Sequence, residues 1–350
     1  MNFTSVLNTW YSKNKRQLPW RTEPTPYRVW LSEIILQQTR IQQGLPYYIR
    51  FIQNYPTVEA LASAREEEIL KLWQGLGYYS RARNLHTAAK QVVHEFDGKF
   101  PDNYLDLLKL KGVGTYSAAA IASICYEEPV AVVDGNVYRF LSRHFGIETP
   151  IDSTRGKKEF QNLAGSLLNK EQPGNFNQAI MEFGALICTP SNPQCEICPF
   201  NNSCIALKND RVAELPVKSK VTRKELMHLN YFVIRVNNGV FLQQRPSSGI
   251  WGNLYEFPVL SSRKRPSRIE LQQAATQSGL PSLKFAEASK PVAHLLTHRK
   301  IIARFWRFEL DEYSPTDRLI FIGEPADLEK FAVPKPVERY LSEWIFTETK

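Results

Sequence analysis

Four cysteines stand close together at Cys188, Cys195, Cys198 and Cys204, spaced C-x6-C-x2-C-x5-C. On such short connections four thiolates can wrap one tetrahedral metal ion or one cubane cluster, because each loop returns the next sulfur to a common centre. A structural zinc would favour two tight C-x2-C pairs, and only Cys195 and Cys198 are that close. Disulfides are opposed by the fifth cysteine, Cys125, which has no mate, and by an N-terminus that does not read as a secretory leader. The asymmetric spacing fits an iron–sulfur cluster better than zinc. Upstream, Leu110-Lys-Gly-Val-Gly114 joins two helical stretches. Its glycines permit a tight turn and close backbone approach. The helix that follows offers unpaired N–H groups and its positive dipole end to a phosphate. An ordinary helix–helix connection could look the same. Two carboxylates complete the set. Glu33 sits beside Ile34 and Ile35 on a helical stripe, where a lone Glu usually faces solvent. Asp134, in Val133-Asp-Gly-Asn136, is a good N-cap for a helix beginning near Val137.

These residues need a scaffold, and a chain of 350 residues is long enough for two domains. With 44 Lys and Arg against 35 Asp and Glu, the net charge of +9 favours a polyanionic partner such as nucleic acid. The longest apolar stretch, Ala118–Tyr126, is too short to span a bilayer, so a soluble, intracellular protein in a reducing compartment is expected. Residues 1–206 read as helical. Phe3, Val6, Leu7, Trp10 and Tyr11 form an amphipathic start, and Trp30, Ile34, Ile35 and Ile41 predict one helix over Val29–Gly44. Ser63-Ala-Arg-Glu66 predicts a capping box before a helix that stops at Gly75-Leu-Gly77. Further helices are expected over Ser80–Glu95, Tyr104–Lys109 and Tyr116–Glu127. Residues 207–226 are charged, without a sustained period, and read as a linker. Residues 227–350 change grammar to a mixed α+β domain. Strands are expected at Leu229–Val236 and Val240–Gln244 around the turn Asn237-Asn-Gly239, then at Ile301–Leu310, with a helix at Arg268–Ser278.

Further motifs join the hairpin, Val133-Asp-Gly-Asn136 and the cysteines: Leu18-Pro-Trp-Arg21, Leu31-Ser-Glu-Ile-Ile-Leu-Gln-Gln-Thr39 and Gly75-Leu-Gly-Tyr-Tyr79. Phe241-Leu-Gln-Gln-Arg-Pro246 and Gly249-Ile-Trp-Gly-Asn-Leu-Tyr-Glu-Phe-Pro258 extend the pattern. Over nearly its whole length the chain thus resembles the helix-hairpin-helix DNA glycosylases with an iron–sulfur cluster, and within them the MutY-type adenine glycosylases. The resemblance implies a mainly α N-terminal half, with a helix-hairpin-helix glycosylase fold and a [4Fe–4S] cluster loop, followed by an α+β Nudix-like domain.

The resemblance also implies roles. Glu33 would be the general acid that protonates the adenine ring and then handles the water that attacks C1′. Asp134 would stabilise positive charge on the deoxyribose, oriented by Asn136. Tyr116 stands where bifunctional relatives carry the lysine that forms a Schiff base, so base excision alone is expected. Gln37 and Tyr78 match positions that wedge into the duplex where a base is extruded. Trp20, Arg21, Gln38 and Gln178 match the adenine pocket, and Gly112, Val113 and Gly114 the DNA-holding hairpin. The stretch after Gly249 lacks the glutamate box of a Nudix hydrolase, which leaves recognition. In the family this domain reads oxidised guanine with a Phe-Ser-His loop. Here Leu296-Thr297-His298 keeps the hydroxyl and the imidazole but loses the aromatic ring.

The implied activity is monofunctional excision, in base excision repair, of adenine opposite 8-oxoguanine or guanine in double-stranded DNA. A monomer is implied, working in the bacterial cytoplasm at the nucleoid, away from membranes. The rivals are a bifunctional oxidised-pyrimidine glycosylase and lyase, a non-catalytic damage-binding protein, and a Nudix hydrolase with a helical appendage.

Overall fold

The helical spacing of apolar residues carries through the first two hundred positions, and the backbone follows it. A computed structural model describes residues 2–219, 224–237, 239–314 and 319–344. By internal contacts the chain divides into two units, Met1–Ser63 with Asn84–Val221, and Ala64–Arg83 with Thr222–Lys350. The expected boundaries at 206 and 227 mark a change of grammar along the sequence. Contacts sort the chain differently, because Ala64–Arg83 belongs with the C-terminal half. Part of the expected linker, residues 220–223, lies outside the described residues.

The helices run α1 (Phe3–Asn14), α2 (Pro19–Thr22), α3 (Pro26–Leu36), α4 (Ile41–Asn54), α5 (Val58–Ser63), α6 (Glu66–Leu72) and α7 (Ser80–Glu95). They continue as α8 (Tyr104–Leu107), α9 (Thr115–Tyr126), α10 (Gly135–Phe145), α11 (Thr154–Leu167), α12 (Pro173–Leu186) and α13 (Ile205–Lys208). Of these, α6 and the first turn of α7 belong to the second unit. The first unit's core gathers Leu7 of α1, Phe140 of α10, Phe160 of α11, and Phe176 and Phe183 of α12. Small residues let α9 run through it, with Ala118 to Ala122 all buried. Gly174 lets α12 cross α9 closely, since a Cβ there would meet the Ser123 carbonyl oxygen at 2.5 Å.

Two local expectations are corrected. Val29–Gly44 is not one helix: α3 ends at Leu36, Gln38 takes φ 55°, and α4 starts at Ile41. The break turns α4 back against α3, so close at Gly44 that a Cβ would meet Leu36 Cδ2 at 2.6 Å. The capping box before Ile69 is formed by Arg65 and Glu68, not from Ser63. Ser63 closes α5 and donates its hydroxyl to the Ala60 carbonyl at 3.1 Å.

The second unit is built on a mixed sheet of β1 (Glu225–Val236), β2 (Gly239–Gln244), β3 (Tyr255–Glu256), β4 (Val259–Ser262), β5 (Glu287–Ala288), β6 (Val292–Leu295), β7 (Arg299–Leu310) and β8 (Leu319–Ile322). β1 and β7 pair in parallel from Glu225↔Arg299 to Val236↔Leu310, and β1 turns into antiparallel β2 at Val236↔Gly239. Asn237 of that turn has φ 54°, and Asn238 lies outside the described residues. Alternation along the strands builds two cores. Leu229, Tyr231 and Val233 face one with Ile301, Ala303 and Phe305. Phe232 and Ile234 face the other with Phe308. Helix α14 (Arg268–Gln277) covers the second face through Leu271 and Ala275, and α15 (Lys335–Trp344) covers the first through Val337 and Leu341. Residues 64–83 join this unit through polar ties. Lys71 donates to the Leu328 and Phe331 carbonyls at 3.2 and 3.1 Å, and Arg83 to the Gly252 carbonyl at 2.8 Å. Among the described residues no helix is long and apolar enough to cross a membrane.

Candidate active site

Glu33 sits in the last turns of α3, flanked by buried Ile34 and Ile35, and is itself half-buried. Removal from water pushes its carboxyl up to about 7. The Tyr116 hydroxyl opposes that rise by hydrogen bonding, the charge of Asp134 adds to it, and Arg21 pulls against it. Tyr116 stands in the first turn of α9, donates to Met181 Sδ at 3.1 Å, and is held well above the usual phenol range, first by burial and then by Glu33. Asp134 is the N-cap of α10: Oδ1 accepts from the backbone N–H of Asn136 at 2.9 Å and of Val137 at 2.8 Å. Its Oδ2 accepts from Asn136 Nδ2 at 2.7 Å. Burial still raises its carboxyl above the ordinary aspartate range, against those bonds. The capping carboxylate thus also stands close enough for its charge to act on Glu33 and Tyr116. Fold and sequence bring Glu33, Tyr116, Asp134 and Asn136 together: two carboxylates with different donors, beside a phenol.

Sequence reasoning missed the acid that organises the neighbouring wall. Glu182 of α12 is 2 % exposed and accepts hydrogen bonds from two arginines. Arg16 donates from its backbone N–H at 3.0 Å, from Nε at 2.8 Å and from Nη2 at 2.6 Å. Arg21 donates from Nη1 at 3.1 Å and Nη2 at 2.9 Å. Burial would raise the Glu182 carboxyl, but the two guanidiniums outweigh it and hold it at about 2. Arg21, expected at a base pocket, is therefore already paired, with its guanidinium also 5.8 Å from the Tyr11 ring. The Tyr11 hydroxyl donates to Gln178 Oε1 at 3.4 Å. Trp20 is buried edge-on against Tyr48, with ring centroids 4.9 Å apart. A signal existed: two arginines on the segment entering the first short helix, and an acid one turn beyond Gln178.

The hairpin between α8 and α9 has the geometry its glycines allow. Gly112 has φ 79°, and a Cβ there would meet Asn84 Cβ at 2.7 Å. The Val113 side chain is buried, so only its backbone is offered outward. Gly114 is the N-cap of α9 without a side-chain cap, and a Cβ there would meet nothing within 4 Å. The first N–H groups of α9 are thus left for an external acceptor. Gln37 closes α3 and donates to Ser117 Oγ at 3.2 Å, while Gln38 is exposed.

Cys188, Cys195, Cys198 and Cys204 line one cavity, walled by Phe140, Phe183 and Phe200. Burial, and then the other cysteines' charge, pushes the Cys198 thiol up to about 11 despite a backbone N–H bond. Four thiolates here need a cationic core to offset them, which an iron–sulfur cluster provides. Two buried arginines one turn apart on α10 tie this loop down. Arg139 donates to the Cys188 carbonyl at 2.6 Å, the Gly184 carbonyl at 2.6 Å and Asn136 Oδ1 at 2.9 Å. Arg143 donates to the Thr189 carbonyl at 2.7 Å and to Cys188 Sγ at 3.6 Å.

Residues 31–166 match the HhH-GPD superfamily of base excision DNA repair proteins, residues 188–204 the iron–sulfur binding domain of endonuclease III, and residues 230–343 a NUDIX domain. The adenine DNA glycosylase of Buchnera aphidicola from Schizaphis graminum is 38% identical over 264 residues, covering 75% of this chain and 76% of that protein. The chain belongs to the adenine DNA glycosylases. The human adenine DNA glycosylase is 34% identical over 363 residues, covering 99% of this chain and 64% of the human one. A thermostable thymine-DNA glycosylase structure superposes with TM-score 0.55 at 30% identity, covering 59% of this chain and 95% of that one. A non-covalent endonuclease III–DNA complex shares the fold at 21% identity, with TM-score 0.52 over 59% of this chain and 94% of that one.

This glycosylase acts in base excision repair, takes DNA as its partner and carries a [4Fe–4S] cluster. Of its expected opposite-base loop, between β6 and β7, Thr297 and His298 are exposed. The Leu296 side chain is part-exposed and packs against the sheet core. The Thr297 hydroxyl is hydrogen-bonded to that of Tyr78, which is 46 % exposed and has φ 50°. Two residues expected at DNA from distant motifs therefore meet in one unit.

Proposed function

We propose that the glycosylase releases adenine opposite 8-oxoguanine or guanine by hydrolysis alone, with Glu33 as general acid and Asp134 as the charge facing the cationic sugar. The coupled placement of Glu33, Tyr116 and Asp134 carries this reading. A carboxyl poised near 7 can hold a proton for the departing adenine at neutral pH and then give up the role to a water. A capped, hydrogen-bonded Asp134 stabilises positive charge developing at C1′. Asn136 fixes its orientation. Where strand cleavage would need an amine nucleophile, Tyr116 offers a phenol beside an acid, which opposes the lyase alternative. Trp20, Arg21, Gln38 and Gln178 form the adenine pocket, with Arg21 held by Glu182. The Gly112–Gly114 backbone takes a phosphate, Gln37 and Tyr78 fill the gap left by the flipped base, and Thr297 with His298 read the opposite base. The four cysteines are the cluster's ligands, through which residues 188–204 are cross-linked. Residues 1–206 serve catalysis and 227–350 recognition, with Tyr78 lent to the second task. The protein works as a monomer.

Single-turnover base release from duplexes carrying A opposite 8-oxoguanine, A opposite G, and an oxidised pyrimidine tests this, with borohydride present to trap any imine. Adenine release from the first two without trapped protein is the expected result. A trapped covalent complex, or release of the pyrimidine, would sink it. Asp134→Asn keeps a good N-cap and removes the charge, so it should fold normally and excise poorly.

A further inference from the structure

One face of α12 receives three sets of donors at the active-site wall. Gln178, Met181 and Glu182 stand at the helical spacing i, i+3 and i+4, while Ala179, Ile180 and Phe183 are buried in the core. Gln178 receives the Tyr11 hydroxyl, and Glu182 receives Arg16 and Arg21. Met181, half-buried, receives the Tyr116 hydroxyl on Sδ at 3.1 Å. A thioether has no hydrogen to give, so the single hydroxyl hydrogen of Tyr116 lies on this bond. Tyr116 is also a hydrogen-bonding partner of Glu33, and there its hydroxyl favours the ionised carboxyl. One hydrogen cannot sit fully on both acceptors. Sulfur is the weak, neutral one, and a carboxylate is the strong one. Arg21 of α2, Asp134 at the start of α10 and Cys125 of α9 also act electrostatically with the Glu33 carboxyl.

We propose that Met181 is a positioning residue for base release: its sulfur keeps the Tyr116 hydroxyl hydrogen off Glu33 while Glu33 carries its proton, and yields it when the carboxylate forms. This rests on Glu33 being the general acid. In the reaction the proton passes from the Glu33 carboxyl to an adenine ring nitrogen, and the glycosidic electron pair leaves with the base. The Tyr116 hydrogen then swings from sulfur to the new carboxylate by rotation about the phenol C–O bond, and no bond to hydrogen breaks. A neutral thioether releases it at little cost, and the O–H···O⁻ bond that replaces it is stronger. The acid is thus kept protonated before the reaction, and its anion is stabilised after it. With leucine at 181 the hydrogen would rest on Glu33 from the start and favour early loss of its proton.

Infrared difference titration of the full, cluster-loaded chain, with Glu33→Gln as the blank, reads the Glu33 carboxyl without reference to turnover. The parent midpoint is expected at about 7. Met181→Leu conserves volume and removes the acceptor, so the midpoint should fall by about half a pH unit, the scale of one weak hydrogen bond. Release of adenine opposite 8-oxoguanine should decline as pH rises past the midpoint. On that descending limb the variant's single-turnover rate should be about threefold lower, the same half unit read as a rate. Tyr116→Phe should raise the midpoint, and adding Met181→Leu to it should move the midpoint no further. Met181→Ile takes the place of the leucine variant should that misfold. A midpoint unmoved by the change at Met181 would overturn the proposal. So would an equal shift in the Tyr116→Phe background, which would make Met181 a packing residue only. A midpoint that moves while the descending limb stays in place upholds the grip of Met181 on Tyr116 and removes Glu33 as the general acid.

Discussion

Glu33 shows how far one side chain's environment can depart from what its neighbours in sequence suggest. Burial raises its carboxyl to about 7, so the native state holds a proton that the unfolded chain, near 4.5, has already lost. Stability therefore falls as pH rises from about 4.5 to about 7 and levels off above. Glu33→Gln removes this titration. The variant should melt above the parent at alkaline pH, and the advantage should vanish below about 4.5 in a pH series of calorimetric melts. Its adenine release should drop on the order of 10²–10⁴-fold with duplex affinity retained. An unchanged melting difference across the series would mean that removal from water does not raise the Glu33 carboxyl. Near-parental turnover would remove it as the general acid. The same logic runs in reverse at Glu182, held at about 2. Its contribution is complete above about 4.5 and is lost as pH falls toward 2. Glu182→Gln should cost roughly 3–5 kcal/mol at neutral pH by leaving two guanidiniums without their acid. Arg16 is 35 % exposed, which places the cost at the lower end. The gap from the parent should close in acid denaturation followed to low pH. A constant gap would mean that packing, not charge, is what Glu182 supplies.

At the scale of elements, the motifs were legible where backbone chemistry alone decides. Asp134 caps α10 at the predicted place, α7 spans Ser80–Glu95 as the apolar period implies, and the β1–β2 hairpin follows its Asn-Gly signal. Where partners decide, sequence failed. Gln38's positive φ breaks the stripe over Val29–Gly44 because α4 must fold back on α3, a tertiary demand no local period carries. The short β4, β5 and β6 exist through the long β1–β7 pair, β8 through β2, and α15 through the core it covers. Glu182 was missed because the two arginines and the acid one turn beyond Gln178 mark only candidates, while their pairing across more than 150 positions is settled by tertiary contact. The hairpin allows a paired test of what its glycines do. Gly112→Ala places a Cβ at φ 79° and 2.7 Å from Asn84, so it should lower stability by about 1–3 kcal/mol along with duplex affinity. Gly114→Ala has an ordinary φ and open space, so melting should hold while duplex affinity falls. If Gly114→Ala binds duplex as the parent does, the open backbone at the start of α9 is not a phosphate site.

Over the whole molecule, the second unit is more than an appendage, because Ala64–Arg83 completes it. Deleting residues from Leu226 onward would strip the partners of that segment: the carbonyls that receive Lys71 and Arg83, and the Gln74–Glu338 bond. A loss of opposite-base preference after such a truncation would therefore mix lost recognition with lost folding. A point change within the intact chain separates them. The Thr297 hydroxyl meets the Tyr78 hydroxyl, and both side chains are exposed, so a lesion at Thr297 and an unstacked step at Tyr78 would compete for or share one hydrogen bond. Thr297→Val keeps the volume and removes the donor. It should leave melting and adenine release opposite guanine close to the parent. The preference for 8-oxoguanine over guanine should fall by roughly 1–3 kcal/mol, the scale of one specific base contact, in single-turnover rates on the two duplexes. Tyr78→Phe breaks the same hydroxyl pair from the other side while keeping the ring. If Tyr78→Phe lowers the preference as Thr297→Val does, the pair acts as a unit. If only Thr297→Val does, Thr297 itself reads the lesion. If neither changes it, opposite-base reading lies elsewhere, and the role given to the β6–β7 loop is wrong.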